Sequence, residues 1–217
     1  MKINYEKSIS YIDALYEKDE ESKINYIDST ELKSFGTVVG SDVSRMMQLL
    51  IHLTRPQRIL EIGTSIGYST VSMANIAKEY GGTITTIEYN EQSAQQAIKN
   101  FEHAGVAELI EVKIGDAKEI IPTLKESFDL IFQDVGDKTL YPVLLNNLIT
   151  LLKPGGMLLA EDSLLPFVDK NVSELKNFKS EQVDALDEFN KMIAHCPYLK
   201  STVLPIGDGL TIGIKIV

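Results

Sequence analysis

The chain has 217 residues, 44% of them hydrophobic, with a net charge of −10, one cysteine and no tryptophan. That length suits one domain, and the ordinary apolar fraction excludes disordered and collagen-like classes. No apolar run approaches the roughly 18 residues of a membrane span, residues 1–10 lack an apolar signal core, and the lone Cys196 cannot form an internal disulfide, so a soluble cytoplasmic protein is expected.

Tyr5, Ile9, Ile12 and Tyr16 recur at helical spacing over residues 3–20, predicting an amphipathic helix whose stripe forms a dimer contact or a lid or, the commoner use, packs on the core. The charged stretch Glu17–Lys23 reads as a solvated helix end or loop. A second helix runs from Ser41, a plausible N-cap, to Leu53 before Arg55-Pro56, so that residues 1–54 form a helical extension to a single domain over 1–217. Strands are expected at Arg58–Ile62, Thr83–Glu88, Leu109–Lys113, Phe128–Gln133 and Met157–Ala160, alternating with helices at Tyr68–Tyr80, Glu91–His103, Ala117–Leu124 and Leu140–Leu152. Mostly apolar strands in strict alternation with helices mean a parallel sheet covered on both faces. A helix at Glu181–Ala194 and strands at Ser201–Leu204 and Leu210–Ile216 follow, the last two joined by PIGDG. So tight a link makes the closing pair antiparallel. The expected architecture is α/β, a mostly parallel seven-stranded sheet with an antiparallel C-terminal hairpin and N-terminal helices.

The run Glu61-Ile-Gly63-Thr-Ser65-Ile-Gly67-Tyr-Ser69 joins the first strand to its helix, at the sheet edge where open α/β folds bind ligands. It is either a tight turn that needs glycine or a loop a ligand can approach. Its G-x-x-x-G spacing departs from the G-x-G-x-x-G of dinucleotide binders. Glu88 ends the second strand, where a carboxylate can accept both hydroxyls of a ribose. Together the two elements point to an adenosine-containing cofactor. Asp116, in Gly115-Asp116-Ala117, accepts from an adenine amino group or caps the next helix.

Asp134 and Asp162 end the fourth and fifth strands. On neighbouring strands about 4.8 Å apart their carboxylates can converge. Bare carboxylates repel, so one protonates or a cation sits between them, and an all-oxygen site suits Mg²⁺, Mn²⁺ or Ca²⁺. The alternative is that they point apart. His52, His103 and His195 share no close spacing with Cys196, so no zinc site is expected.

Taken in order, ILEIGTSIGYST, TTIEYNE, GDA, FDLIFQD, LLKPGG and LPIGDGL resemble the metal-dependent O-methyltransferases that include the catechol and caffeoyl-CoA enzymes, with a bacterial branch that includes a tRNA 5-hydroxyuridine methyltransferase. The resemblance implies a class I, Rossmann-like methyltransferase fold, a homodimer, S-adenosylmethionine as cofactor and a divalent cation. It places Val39, Gly63, Ser65, Ser69, Glu88, Tyr89, Asp116, Ala117 and Asp134 around the cofactor. Asp134, Asp162 and Ser163 fall at the metal positions, and Lys138 and Asp134 at the catalytic ones, with Lys138 as general base. Two departures stand out. The family's Asp-Asn is here Asp162-Ser163, and its lysine three residues after the first metal aspartate is here four residues after, with Gly136 between. These departures also leave room for a homologue that binds cofactor without catalysis.

The acceptor expected is a small hydroxylated aromatic such as a catechol, with Leu164, Leu165, Pro166 and Phe167 as an apolar wall. The chain's only arginines are Arg45, Arg55 and Arg58, and acidic residues outnumber lysines from Leu164 to Phe189. That balance disfavours tRNA, which must be held through phosphates, and likewise a coenzyme A thioester.

Overall fold

A computed structural model describes residues 5–165 and 180–217. Helices α1 (Tyr5–Leu15), α2 (Glu17–Asp28) and α3 (Ser41–Thr54) precede strand β1 (Arg58–Ile62). Then come α4 (Tyr68–Ala77), β2 (Thr83–Glu88), α5 (Glu91–His103), β3 (Ile110–Ile114), α6 (Ala117–Ile120), β4 (Phe128–Gln133), α7 (Leu140–Leu151) and β5 (Leu152–Ala160). Helix α8 (Ser180–Ala194) and strands β6 (Leu199–Leu204) and β7 (Leu210–Lys215) close the chain. The seven strands lie in the order β3-β2-β1-β4-β5-β7-β6. Strands β1 to β5 are mutually parallel, and β7 runs antiparallel to both β5 and β6.

Alternation along the strands divides the core in two. Leu60, Ile62, Ile131, Leu158 and Ala160 face α7 and α8, packing on Tyr141, Leu144, Leu148, Leu186 and Phe189. Ile59, Leu130, Phe132, Met157 and Leu159 face the other way, onto Met47 and Ile51 of α3, Met73 and Ala77 of α4 and Phe101 of α5. Each of the Leu, Ile, Met and Phe side chains among them contributes about 1.5–3 kcal/mol on burial.

Four expectations change. The first helix breaks at Tyr16, and the charged stretch beyond it is helical, with Glu17, Asp19 and Glu20 in the first turn of α2, where the helix dipole favours them. The stripe on α1 does not reach the core: Ile9, Ile12 and Tyr16 are 56%, 42% and 47% exposed. The nearby sheet face is already covered by α3, α4 and α5, and α1–α2 ties to α3 through Arg45, which bonds Asp19 (3.3 Å) and lies 4.2 Å from the Tyr16 ring centroid. Ser41 is the first residue of α3 rather than its cap, which is Gly40. Lys153–Gly156 lies within β5, because the register shift beside Phe128 accommodates Pro154, which has no N–H to give.

Candidate functional site

The parallel strands end together, and the backbone continues the ladder one step past them. Gly63 N–H donates to the Ile87 carbonyl (2.9 Å), Asp134 N–H to Ile62 (2.8 Å), Gly115 N–H to Glu88 (2.8 Å) and Glu161 N–H to Gln133 (3.1 Å). Gly63, Glu88, Asp116, Asp134 and Asp162 therefore gather at one edge of the sheet.

Two cavities meet there, sharing Gly63, Glu88 and Gly136. One, of about 430 Å³, is lined by Val39, Ser65, Ser69, Asp134, Lys138 and Asp162. The other, of about 420 Å³, is lined by Tyr89, Asp116, Ala117, Val135 and Leu140. At their junction Glu88 Oε2 accepts from Ser65 N–H (2.7 Å) and Oε1 from Asn90 N–H (2.8 Å). A carboxylate has about four lone-pair sites, so both oxygens keep capacity for a diol. The apolar slot of Val135, Leu140 and Ala117 beside Asp116 suits a flat heterocycle, although the Asp116 carboxylate also caps α6 by accepting from Lys118 N–H (2.8 Å). The residues present fit an adenosine-containing group.

Beneath the glycine loop lies a network that sequence reasoning missed. Glu61, fully buried, accepts from the hydroxyls of Ser69 (2.6 Å), Thr70 (2.5 Å) and Thr86 (2.6 Å). Burial lifts its carboxyl to about 7 against those three donors. Ser69 thus turns its hydroxyl proton inward, orienting the start of α4 rather than donating to a ligand. The available signal was an acidic residue inside an apolar strand, followed by two hydroxyls at the head of the next helix.

Asp134 and Asp162 do converge, and Lys138 lies between them. Its Nζ is 3.5 Å from Asp134 Oδ1 and directly contacts Asp162 Oδ2, and it donates to Tyr141 Oη (3.2 Å). Tyr141 in turn donates to the Glu161 carbonyl (3.0 Å). Burial alone would push Lys138 down, but Tyr141 and the two aspartates hold it well above the ordinary lysine value. Burial lifts Asp134 to about 6 despite that ammonium. Burial also works against Asp162, yet a hydrogen bond from Glu161 and the Lys138 ammonium hold it below the usual aspartate value. Glu161, a third buried carboxyl that was not anticipated, is pushed well up by burial and by that bond.

Oxygens of Asp134, Glu161 and Asp162 lie within 4.8 Å of one another. Ser163 does not join them. Its hydroxyl donates to the Ala160 carbonyl (2.9 Å) and accepts from Thr211 Oγ1 (2.7 Å). With the lysine ammonium between the aspartates and the serine turned away, this arrangement does not fit a divalent ion. Nor does it present Lys138 as a free base. Of the proposed acceptor wall, Leu165 is buried and Leu164 packs beside Gly209, whereas Pro166 and Phe167 lie outside the described residues.

Among known proteins the chain is 31% identical to a catechol O-methyltransferase of Niastella koreensis over 183 residues, covering 82% of this chain and 77% of that one. It is 28% identical to caffeoyl-CoA O-methyltransferase 1 of Eucalyptus globulus over 223 residues, covering 95% and 90%. The O-methyltransferase TomG of Streptomyces achromogenes, solved in complex with SAM, superposes with a TM-score of 0.76 at 24% identity over the whole of both chains, a likeness of fold. An O-methyltransferase family model matches residues 20–216, and with these relatives it establishes that the chain belongs to the O-methyltransferase family.

Proposed function

We propose that this O-methyltransferase moves a methyl group from S-adenosylmethionine to a hydroxyl of a small planar aromatic acceptor of the catechol type. The observation that carries this reading is the pair of cavities joined at Gly63 and Glu88, one ending in an apolar slot and the other in the Asp134–Lys138–Asp162 cluster. S-adenosylmethionine supplies a methyl already activated on a sulfonium. Glu88 holds the ribose hydroxyls, and the slot beside Asp116 and Ala117 takes the adenine. The carboxylates of the first cavity, only partly offset by one ammonium, favour a cationic sulfonium over an anionic ligand. As the O–CH₃ bond forms and the S–CH₃ bond breaks, the hydroxyl proton must leave. Lys138 is engaged as an ammonium, so Asp134, which lines the cavity, accepts it. Holding both reactants in line in the cleft supplies much of the remaining rate. The catechol and caffeoyl-CoA relatives support an aromatic acceptor. The acidic chain weighs against one that carries phosphates.

Two measurements test this. Glu88→Ala should weaken S-adenosylmethionine binding by about 1.5–3 kcal/mol in calorimetry, through loss of charge-assisted bonds to the ribose. An unchanged affinity removes Glu88 from the site. Wild-type protein should methylate members of a catechol and phenol panel and leave hydroxyuridine-containing tRNA untouched. Turnover of the tRNA with none of any catechol or phenol overturns the acceptor assignment.

A further inference from the structure

We propose that the cation at the Asp134–Asp162 pair is the chain's own Lys138 ammonium, and that this pair binds no divalent metal. The local chain explains how the lysine gets there. With Gly136 lengthening the segment after Asp134, Asp137 caps the turn into α7: its Oδ1 accepts from Thr139 N–H (3.0 Å) and Oγ1 (2.7 Å), and its carbonyl from Leu140 N–H (3.1 Å). Lys138 follows that cap, and its side chain, only 3% exposed, lies over the Tyr141 ring with Nζ 5.0 Å from the centroid. An ammonium has three hydrogens. Here three oxygens surround it, from Asp134, Asp162 and Tyr141. A divalent ion at the same point would have to displace this desolvated side chain or stand beside a like charge.

The neutral ligand position is closed as well. Ser163 is fully buried, and its N–H, carbonyl and hydroxyl are all engaged by the protein. Its N–H donates to Gly209 (3.0 Å), its carbonyl accepts from Asn190 Nδ2 (2.7 Å), and its hydroxyl bridges Ala160 and Thr211. The two sequence departures, the shifted lysine and the serine, therefore act together: one supplies a cation from within, and the other withdraws a ligand.

The test is a titration of the full chain with Mn²⁺, read by electron paramagnetic resonance and by thermal melting. Wild type should bind Mn²⁺ no tighter than about 1 mM and show no Mn²⁺-dependent rise in melting temperature. Lys138→Met, which removes the ammonium and leaves the carboxylates, should gain one site at least about tenfold tighter and melt higher as Mn²⁺ is added. Lys138→Gln serves as the second variant, and recovery of a poorly folded Lys138→Met by Mn²⁺ counts as gain of the site. Micromolar Mn²⁺ binding by wild type overturns the proposal. So does a folded lysine variant that gains no site, because the carboxylates would then not be arranged around a cation position. Neither readout uses turnover, so the proposal stands or falls separately from the acceptor assignment.

Discussion

Replacing Gly63 with alanine should cost on the order of 3–5 kcal/mol or abolish folding altogether. Gly63 has φ +100°, and a Cβ there would overlap the Asp134 carbonyl oxygen and lie 2.7 Å from its carbonyl carbon and 3.2 Å from Val135 Cα. These are backbone atoms of the adjacent strand end, held by the bond from Asp134 N–H to Ile62, so nothing cheap can move. Gly81 provides the control. Its φ is +77°, but an added Cβ would meet nothing within 4 Å, so alanine there should cost about 1 kcal/mol from backbone conformation alone. Urea unfolding of the two variants gives the comparison directly. Equal losses would mean that the close approach of Gly63 to Asp134 carries no energy.

The second large effect is on pH. Glu61 titrates near 7 in the folded protein because it is buried, against a reference value of 4.5. Below about pH 4.5 both folded and unfolded chains hold the proton and Glu61 imposes no cost. Between 4.5 and 7 the unfolded chain releases the proton while the folded one retains it, so the stability contributed by Glu61 falls by roughly 3 kcal/mol and stays low above pH 7. Glu61→Gln removes this titration and keeps one acceptor oxygen for the Thr70 and Thr86 hydroxyls, with its amide NH₂ donating to Ser69 Oγ. Other carboxyls titrate in the same window, so the quantity to follow is the stability difference between wild type and variant. It should shift in favour of the variant by about 3 kcal/mol from pH 4.5 to 7.5. A difference that stays flat across that range would show that Glu61 is not titrating against burial.

Sequence alone determined the sheet and its ligand edge. β1, β2 and β4 fall at the expected residues because short runs rich in apolar and β-branched residues between helices are a strong local signal. Asn90 caps α5 by accepting from Ser93 N–H (3.0 Å), a choice made by residues three apart in sequence. The glycine loop, Glu88, Asp116, Asp134 and Asp162 were legible because parallel strands all deliver their carboxyl ends to one edge. Tertiary structure decided what each of those groups does there. Whether α1 packs on the core depends on which helices already cover the sheet. Ser163 meets Thr211 across 48 positions of chain, and Ser69, although close to Glu61 in sequence, turns toward that buried carboxyl rather than into the cavity. Lys138 meets Asp162 across 24 positions of chain, and no spacing rule says whether an ammonium or a metal ion stands between two carboxylates. Local pattern fixes elements and edges. The direction of a side chain in a buried polar cluster depends on desolvation and on the competing partners that only the assembled fold brings within reach.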